Sequence, residues 1–148
     1  MLEKAANYLK DWIESQKLVG LQIDYIQDPN RTPLLFVEVK GSEKNSPTVL
    51  FYGHFDKQPP LDGWEEGLGP TTPVIRDGKL YGRGGGDDGY AAFSAILSIK
   101  ACQAQGIPHP RCIVLIEGDE ESDGEDLPHY LNRLMPRIGQ PNLIVGNT

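Results

Sequence analysis

The sequence predicts an α/β fold in which a mixed, largely parallel sheet is flanked by helices. Three short segments, residues 49–52, 112–116 and 143–145, are continuously apolar and rich in β-branched residues, as is typical of central strands covered on both faces. Residues 90–105 lie between the first two segments and carry an apolar stripe at helical spacing. This strand-helix-strand order favours parallel pairing.

The remaining elements complete this plan. Apolar residues recur at three- and four-residue steps over residues 2–18, which predicts an amphipathic helix ending at Gly20. Residues 21–26 and 34–39 alternate apolar and polar side chains around a turn, so they are predicted to form two strands. A further helix is predicted over residues 124–135.

Size, composition and charge limit the classes of function. The 148 residues suit one domain, and 39% hydrophobic and 24% charged residues are ordinary for a soluble globular protein. A net charge of -7 argues against nucleic acid as a partner, because phosphates require clustered Lys and Arg. The sequence shows neither a long apolar span nor a signal peptide, so we expect no membrane association and a cytoplasmic location.

Acidic residues crowd directly behind the apolar run 112–116: Glu117, Asp119, Glu120, Glu121, Asp123, Glu125 and Asp126. Two earlier segments show a similar arrangement. Residues 48–52 lead into His54 and Asp56, and residues 79–81 lead into a glycine-rich loop that ends in Asp87 and Asp88. In α/β sheets the working groups gather beyond the carboxyl ends of strands. We therefore interpret the three segments as parts of one metal site.

The residue types at these positions suit a catalytic cation. His54 and Asp56 are two residues apart, so in extended chain the carboxylate can accept the imidazole N–H and leave the other nitrogen for a metal. A histidine with several carboxylates suits zinc or a similar transition ion, and a spare carboxylate beside a ligand can deprotonate water. The set fits hydrolysis.

Other interpretations of these segments fit less well. Gly84-x-Gly86-x-x-Gly89 matches the dinucleotide fingerprint, but Asp87 and Asp88 would repel a pyrophosphate. The segment from Asp119 resembles the start of an EF-hand loop, although its twelfth position is Tyr130 instead of Glu. A solvated acidic loop without a metal is the remaining alternative.

Three motifs carry a resemblance to a known family: Gly53-His54-Phe55-Asp56, Leu80-Tyr81-Gly82-Arg83-Gly84 leading to Asp87-Asp88, and Glu120-Glu121-Ser122. In order and spacing they are similar to the dinuclear zinc metallopeptidases that include carboxypeptidase G, succinyl-diaminopimelate desuccinylase, aminoacylase and carnosine dipeptidase. The resemblance covers most of the chain. It implies that residues 1–148 form the amino-terminal portion of such a catalytic domain, without its lid domain.

The resemblance also implies a role for each motif residue. His54 binds one metal, Asp87 bridges two, Glu121 binds the other, Glu120 is the general base and Asp56 orients His54. The implied cofactors are two zinc ions in the full-length parent, with cobalt or manganese accepted by the same ligands. The implied substrate is a dipeptide or an N-acyl amino acid, and the Asp87–Asp88 peptide bond is expected to be cis.

The sequence departs from the family where a further acidic ligand is expected, around Thr148, and it lacks the later histidine. We therefore expect partial or no zinc occupancy and no activity for this chain alone. An unpaired sheet edge favours association, so a homo-oligomer is among the expected states. The alternative function is a non-catalytic metal-binding or partner-binding domain derived from the same fold.

Overall fold

A five-stranded sheet forms the middle layer of the structure. The computed structural model describes residues 1–122 and 124–146. Its elements are α1 (Leu2–Ser15), β1 (Leu21–Ile26), β2 (Leu34–Val39), β3 (Thr48–His54), β4 (Val74–Arg76), β5 (Lys79–Tyr81), α2 (Ala91–Ala104), β6 (Arg111–Glu117), α3 (Asp126–Ile138) and β7 (Leu143–Gly146). The sheet order is β1-β2-β6-β3-β7, and β4 pairs with β5 in a separate hairpin.

The predicted fold class is confirmed. β3 runs parallel to β6 and to β7, whereas β1, β2 and β6 pair antiparallel, so the sheet is mixed. Helices α1 and α2 bury one face of the sheet, and α3 buries the other. None of the helices in the described ranges has the length and apolar character needed to cross a lipid bilayer.

The helices differ from their predicted bounds by a few residues, for local reasons. Lys17 has a positive φ of 55°, which ends α1 ahead of the predicted limit at residue 18. At the other end of the chain, α3 continues through Pro136 and ends at Ile138, where it is followed by Gly139, whose φ of 71° suits a glycine. The α2 bounds lie within one residue of the predicted 90–105.

The prediction that residues 143–145 form a central strand covered on both faces is wrong. β7 lies at the edge of the sheet beside β3, and Leu143 and Ile144 are 55% and 63% exposed. A continuous apolar run indicates a strand but does not show whether other layers cover it. Among the described residues, β7 therefore forms one edge of the sheet and β1 forms the other.

Residues 79–81 do form a strand, but that strand is outside the main sheet. β5 pairs with β4 across a tight turn at Asp77 and Gly78, both of which have positive φ. The sequence suggested that Asp87 follows a strand of the main sheet, and this is wrong. Asp87 lies in the glycine-rich loop, residues 82–89, which leads into α2.

Asp126 joins the start of α3 to the loop between β1 and β2. Its carboxylate is buried and accepts hydrogen bonds from the Thr32 N–H and the Thr32 hydroxyl, both at 2.7 Å, and from Arg31. These contacts join segments 94 or 95 residues apart in the chain. They fix the loop and the helix against each other on the α3 face of the sheet.

We predict that Asp126→Ala lowers the free energy of unfolding by about 2 to 4 kcal/mol, because it leaves the Thr32 and Arg31 donors without an acceptor. Denaturant unfolding followed by circular dichroism measures this change. Glu125→Ala is the matched control, since the neighbouring Glu125 is exposed and its side chain makes no capping hydrogen bond. Equal effects of the two substitutions would contradict the prediction.

Candidate metal centre

The parallel pairing of β3 with β6 places two groups of polar residues side by side at the carboxyl ends of these strands. His54 pairs in register with Glu117, and the main-chain N–H of Phe55 donates to the Glu117 carbonyl at 2.8 Å. Residues that follow these two strands therefore emerge side by side. His54 and Asp56 come from the first strand end, and Glu120 and Glu121 follow the second.

The predicted site residues converge on the His54 ring, whose side chain is fully buried. Nε2 of His54 lies 3.0 Å from Asp87 Oδ1 and 3.8 Å from Glu120 Oε2. Nδ1 lies 3.3 Å from Asp56 Oδ1, close but not aligned for a hydrogen bond. These three carboxyl side chains and the imidazole thus come together from three separate segments of the chain.

Three of these side chains could hold a metal ion together. One donor atom from each of His54, Asp87 and Glu121 lies within 4.8 Å of the others. Glu121 Oε1 is buried and makes no hydrogen bond in the described part of the chain, while Oε2 accepts from the Gln58 side-chain amide. A buried carboxylate oxygen without a donor is costly unless a cation satisfies it. One nitrogen and two carboxylate oxygens fit the donor set of zinc and similar ions.

Asp56 connects the two strand ends. Its Oδ2 accepts the main-chain N–H of Glu121 at 2.8 Å, while its Oδ1 faces His54 Nδ1. One buried carboxylate therefore sets the position of the Glu121 main chain and lies against the His54 ring. Sequence reasoning predicted the contact with His54 but not the contact with Glu121.

Asp88 is a structural residue of the site whose part the sequence did not indicate. It is only 1% exposed, and its Oδ1 accepts the main-chain N–H groups of Tyr90 and Ala91 at 3.1 and 3.0 Å. Its Oδ2 accepts the main-chain N–H of His54 at 3.1 Å. Asp88 therefore joins the start of α2 to the end of β3. An acidic residue just ahead of a helix is the one signal that could have suggested this role.

The peptide bond between Asp87 and Asp88 is trans, so the expected cis bond is wrong for this structure. A trans bond is the lower-energy form between two residues that are not proline. With this bond trans, the Asp87 carboxylate still reaches the His54 ring, and the Asp88 carboxylate still reaches the His54 main chain.

Glu117 is a buried carboxyl group in register with His54. It accepts the Tyr52 hydroxyl at 2.6 Å, and its other oxygen has no hydrogen-bond partner among the described residues. Burial raises the pKa of Glu117 above its usual range; the Tyr52 hydrogen bond opposes this, and the charges of Asp56, Asp119 and Glu120 add to it. The sequence placed Glu117 in the acidic cluster without showing that it lies inside the protein.

This raised pKa predicts a pH-dependent contribution to stability. The folded protein holds the Glu117 proton more tightly than the unfolded chain, so ionising this group costs stability as the pH rises through its folded pKa. Glu117→Gln cannot ionise. As the pH rises above the ordinary titration range of a Glu carboxyl, we expect the free energy of unfolding of wild type to fall relative to that of the variant. Chemical denaturation across and above this range measures the difference, with Glu125→Gln as the exposed control; parallel wild-type and Glu117→Gln profiles would refute it.

Solved structures share this fold. The chain superposes with a TM-score of 0.85 on an M20 family metallo-carboxypeptidase from Sulfolobus solfataricus at 23% identity, covering 99% of this chain and 32% of that one. It superposes with a TM-score of 0.80 on human carnosine dipeptidase 1 at 27% identity, covering 98% of this chain and 32% of that one.

Curated relatives are similar in sequence over most of the chain. A Beta-Ala-His dipeptidase from Mus musculus is 37% identical over 141 residues, which is 90% of this chain and 28% of the relative. A succinyl-diaminopimelate desuccinylase from Dechloromonas aromatica is 34% identical over 117 residues, 77% of this chain and 29% of the relative. The chain thus spans less than a third of the length of these relatives. The family model for peptidase family M20/M25/M40 matches residues 50–146, and the chain belongs to that family.

Proposed function

We propose that the protein containing this chain hydrolyses an amide or peptide bond in a small substrate with the help of divalent metal ions. The single observation that carries this proposal is the convergence of His54, Asp87 and Glu121, whose donor atoms lie within 4.8 Å of one another. These residues lie far apart in the chain, and each belongs to a motif that the sequence singled out. Family membership supports the same class of reaction.

Each donor has a proposed place in a two-ion centre. His54 and Glu121 would each help to hold an ion, and Asp87, which has the most exposed of the three side chains, would contribute its carboxylate to both. Zinc is the proposed metal, and cobalt and manganese suit the same donors. Divalent ions bound here would supply Lewis acidity toward the scissile carbonyl and the attacking water.

Glu120 is the proposed general base. Its Oε2 lies 3.8 Å from His54 Nε2, and its side chain is 35% exposed, so it borders the site and remains open to substrate. A carboxylate in this position can take the proton of the attacking water and pass it to the leaving nitrogen. Asp56 is proposed to orient His54, which it approaches on the Nδ1 side.

The proposed substrate is a dipeptide or an N-acyl amino acid. The names of the curated relatives support this class, since one is a Beta-Ala-His dipeptidase and the other a succinyl-diaminopimelate desuccinylase. Both names describe small substrates with an amide bond. The choice between the two kinds of substrate is open to direct assay.

The adjacent residues Glu120 and Glu121 provide the sharpest test, since the proposal gives them different roles. In the full-length protein, Glu120→Gln should lower turnover of dipeptide or N-acyl amino acid substrates by about 10²- to 10⁴-fold while leaving the bound metal unchanged. Glu121→Gln should lower the metal content instead. Turnover and metal analysis after dialysis measure both effects. Metal loss in Glu120→Gln with full retention in Glu121→Gln would reverse the assignment, and a metal-replete protein that hydrolyses neither substrate class would favour a non-catalytic domain.

The isolated 148-residue chain should bind zinc weakly and show no hydrolysis. Among the residues that the structure describes, two ions would share the donors His54, Asp87 and Glu121, fewer than the three or four protein ligands that each zinc ion usually has. Calorimetric titration with zinc and a dipeptide assay test this expectation. Tight binding of two zinc ions, or ready hydrolysis by the isolated chain, would contradict it.

A further inference from the structure

We propose that Lys57 is a positioning residue that anchors the glycine-rich loop, residues 82–89, and so keeps Asp87 against His54. The inference rests on the proposed function of Asp87 as a metal ligand. Lys57 directly follows Asp56, at the end of the segment that carries His54. Lys57 lies outside the three sequence motifs that indicated the metal site, and the sequence alone assigned it no function.

The loop has few features of its own that would fix Asp87. Five of its eight residues are glycine, and the Asp87 side chain is 65% exposed. Its internal main-chain contact is a Gly85 N–H bond to the Gly82 carbonyl at 3.2 Å. Glycine loses more conformational freedom on ordering than any other residue. The position of Asp87 therefore depends on contacts made to the loop from outside.

The end of β3 and the residues just after it supply two such contacts, one to the main chain of Asp88 and one to its side chain. The Lys57 ammonium donates to the main-chain carbonyl of Asp88. The Asp88 carboxylate accepts the main-chain N–H of His54 at 3.1 Å. Asp87 immediately precedes the residue held in this way, so fixing Asp88 at two points also restricts where the Asp87 carboxylate can go.

The side chain of Lys57 also packs against the loop. A Cβ atom added at Gly84 would overlap Cε of Lys57 and lie 2.7 Å from its Cδ, and Gly84 has a positive φ of 84°. A Cβ atom at Gly89 would overlap the Gly84 carbonyl oxygen. The loop is thus folded tightly on itself, and the absence of a side chain at Gly84 leaves the space that the lysine stem occupies.

A purely electrostatic role for Lys57 makes the opposite prediction. Its ammonium lies in the field of the carboxylates of Asp56, Asp87, Asp88 and Glu121. If it served only as a counter-charge to these acids, its removal would make the site more negative and would increase the affinity for divalent cations. If it anchors the loop, its removal releases Asp87 and decreases that affinity.

The experiment compares Lys57→Met, which keeps an unbranched apolar stem but removes the donor, with wild type and Lys57→Arg. Lys44→Met is the matched control, since Lys44 is an exposed lysine outside the site. Amide hydrogen exchange of the metal-free 148-residue chain is measured at Gly85 and Ala91, whose N–H groups are bonded within the loop or to Asp88. Cobalt(II) titration, followed by visible absorption, is measured on the full-length protein.

We expect Lys57→Met to speed exchange at these amides and to weaken cobalt binding, each by about tenfold. Lys57→Arg should retain most of the exchange protection and of the cobalt affinity, and Lys44→Met should change neither. Unchanged exchange in Lys57→Met would overturn the proposal, as would tighter cobalt binding. Exchange in the metal-free chain tests the anchoring of the loop by itself. It therefore decides whether Lys57 anchors the loop even if the full-length protein binds no cobalt and the proposed function fails.

Discussion

The parallel register of β3 on β6 is the constraint on which the rest of the site depends. It places His54 opposite Glu117 and lets both strands end at the same edge of the sheet. Successive side chains of a strand point to opposite faces, so a shift of one residue would turn His54 away from Glu120 and Glu121. The apolar faces of both strands oppose such a shift, because it would also move core residues into the wrong layer.

The site concentrates negative charge in a partly buried place, and the protein compensates with main-chain and side-chain donors. Asp56 and Asp88 accept main-chain N–H groups, and Glu117 accepts the Tyr52 hydroxyl. Such bonds satisfy the buried carboxyl oxygens without adding a positive charge. Glu121 Oε1 receives no such donor among the described residues. The compensation is therefore incomplete at the place where the metal is proposed to bind.

The sequence predicted the parts of the site that follow buried strands, and missed the parts that depend on main-chain contacts. His54 and Glu121 follow apolar runs, and an apolar run can be recognised directly in the sequence. Asp88 and Lys57 act through hydrogen bonds to or from the main chain across more than 30 residues, and no periodicity in the sequence shows such a contact. The edge position of β7 was missed because an apolar run does not show what lies beside it.

The three candidate metal ligands differ in exposure, and the difference shows which side of the site is open to solvent. The His54 side chain is fully buried, and the Asp87 side chain is largely exposed. His54 is backed by Asp56, whereas Asp87 and Glu120 are partly exposed, so among the described residues the open side of the site is that of Asp87 and Glu120. Asp87 is held on that open side by a loop of low intrinsic order. Because a proposed bridging ligand must keep its place while substrate enters and leaves, the contacts that anchor this loop should influence metal retention as well as the position of Asp87.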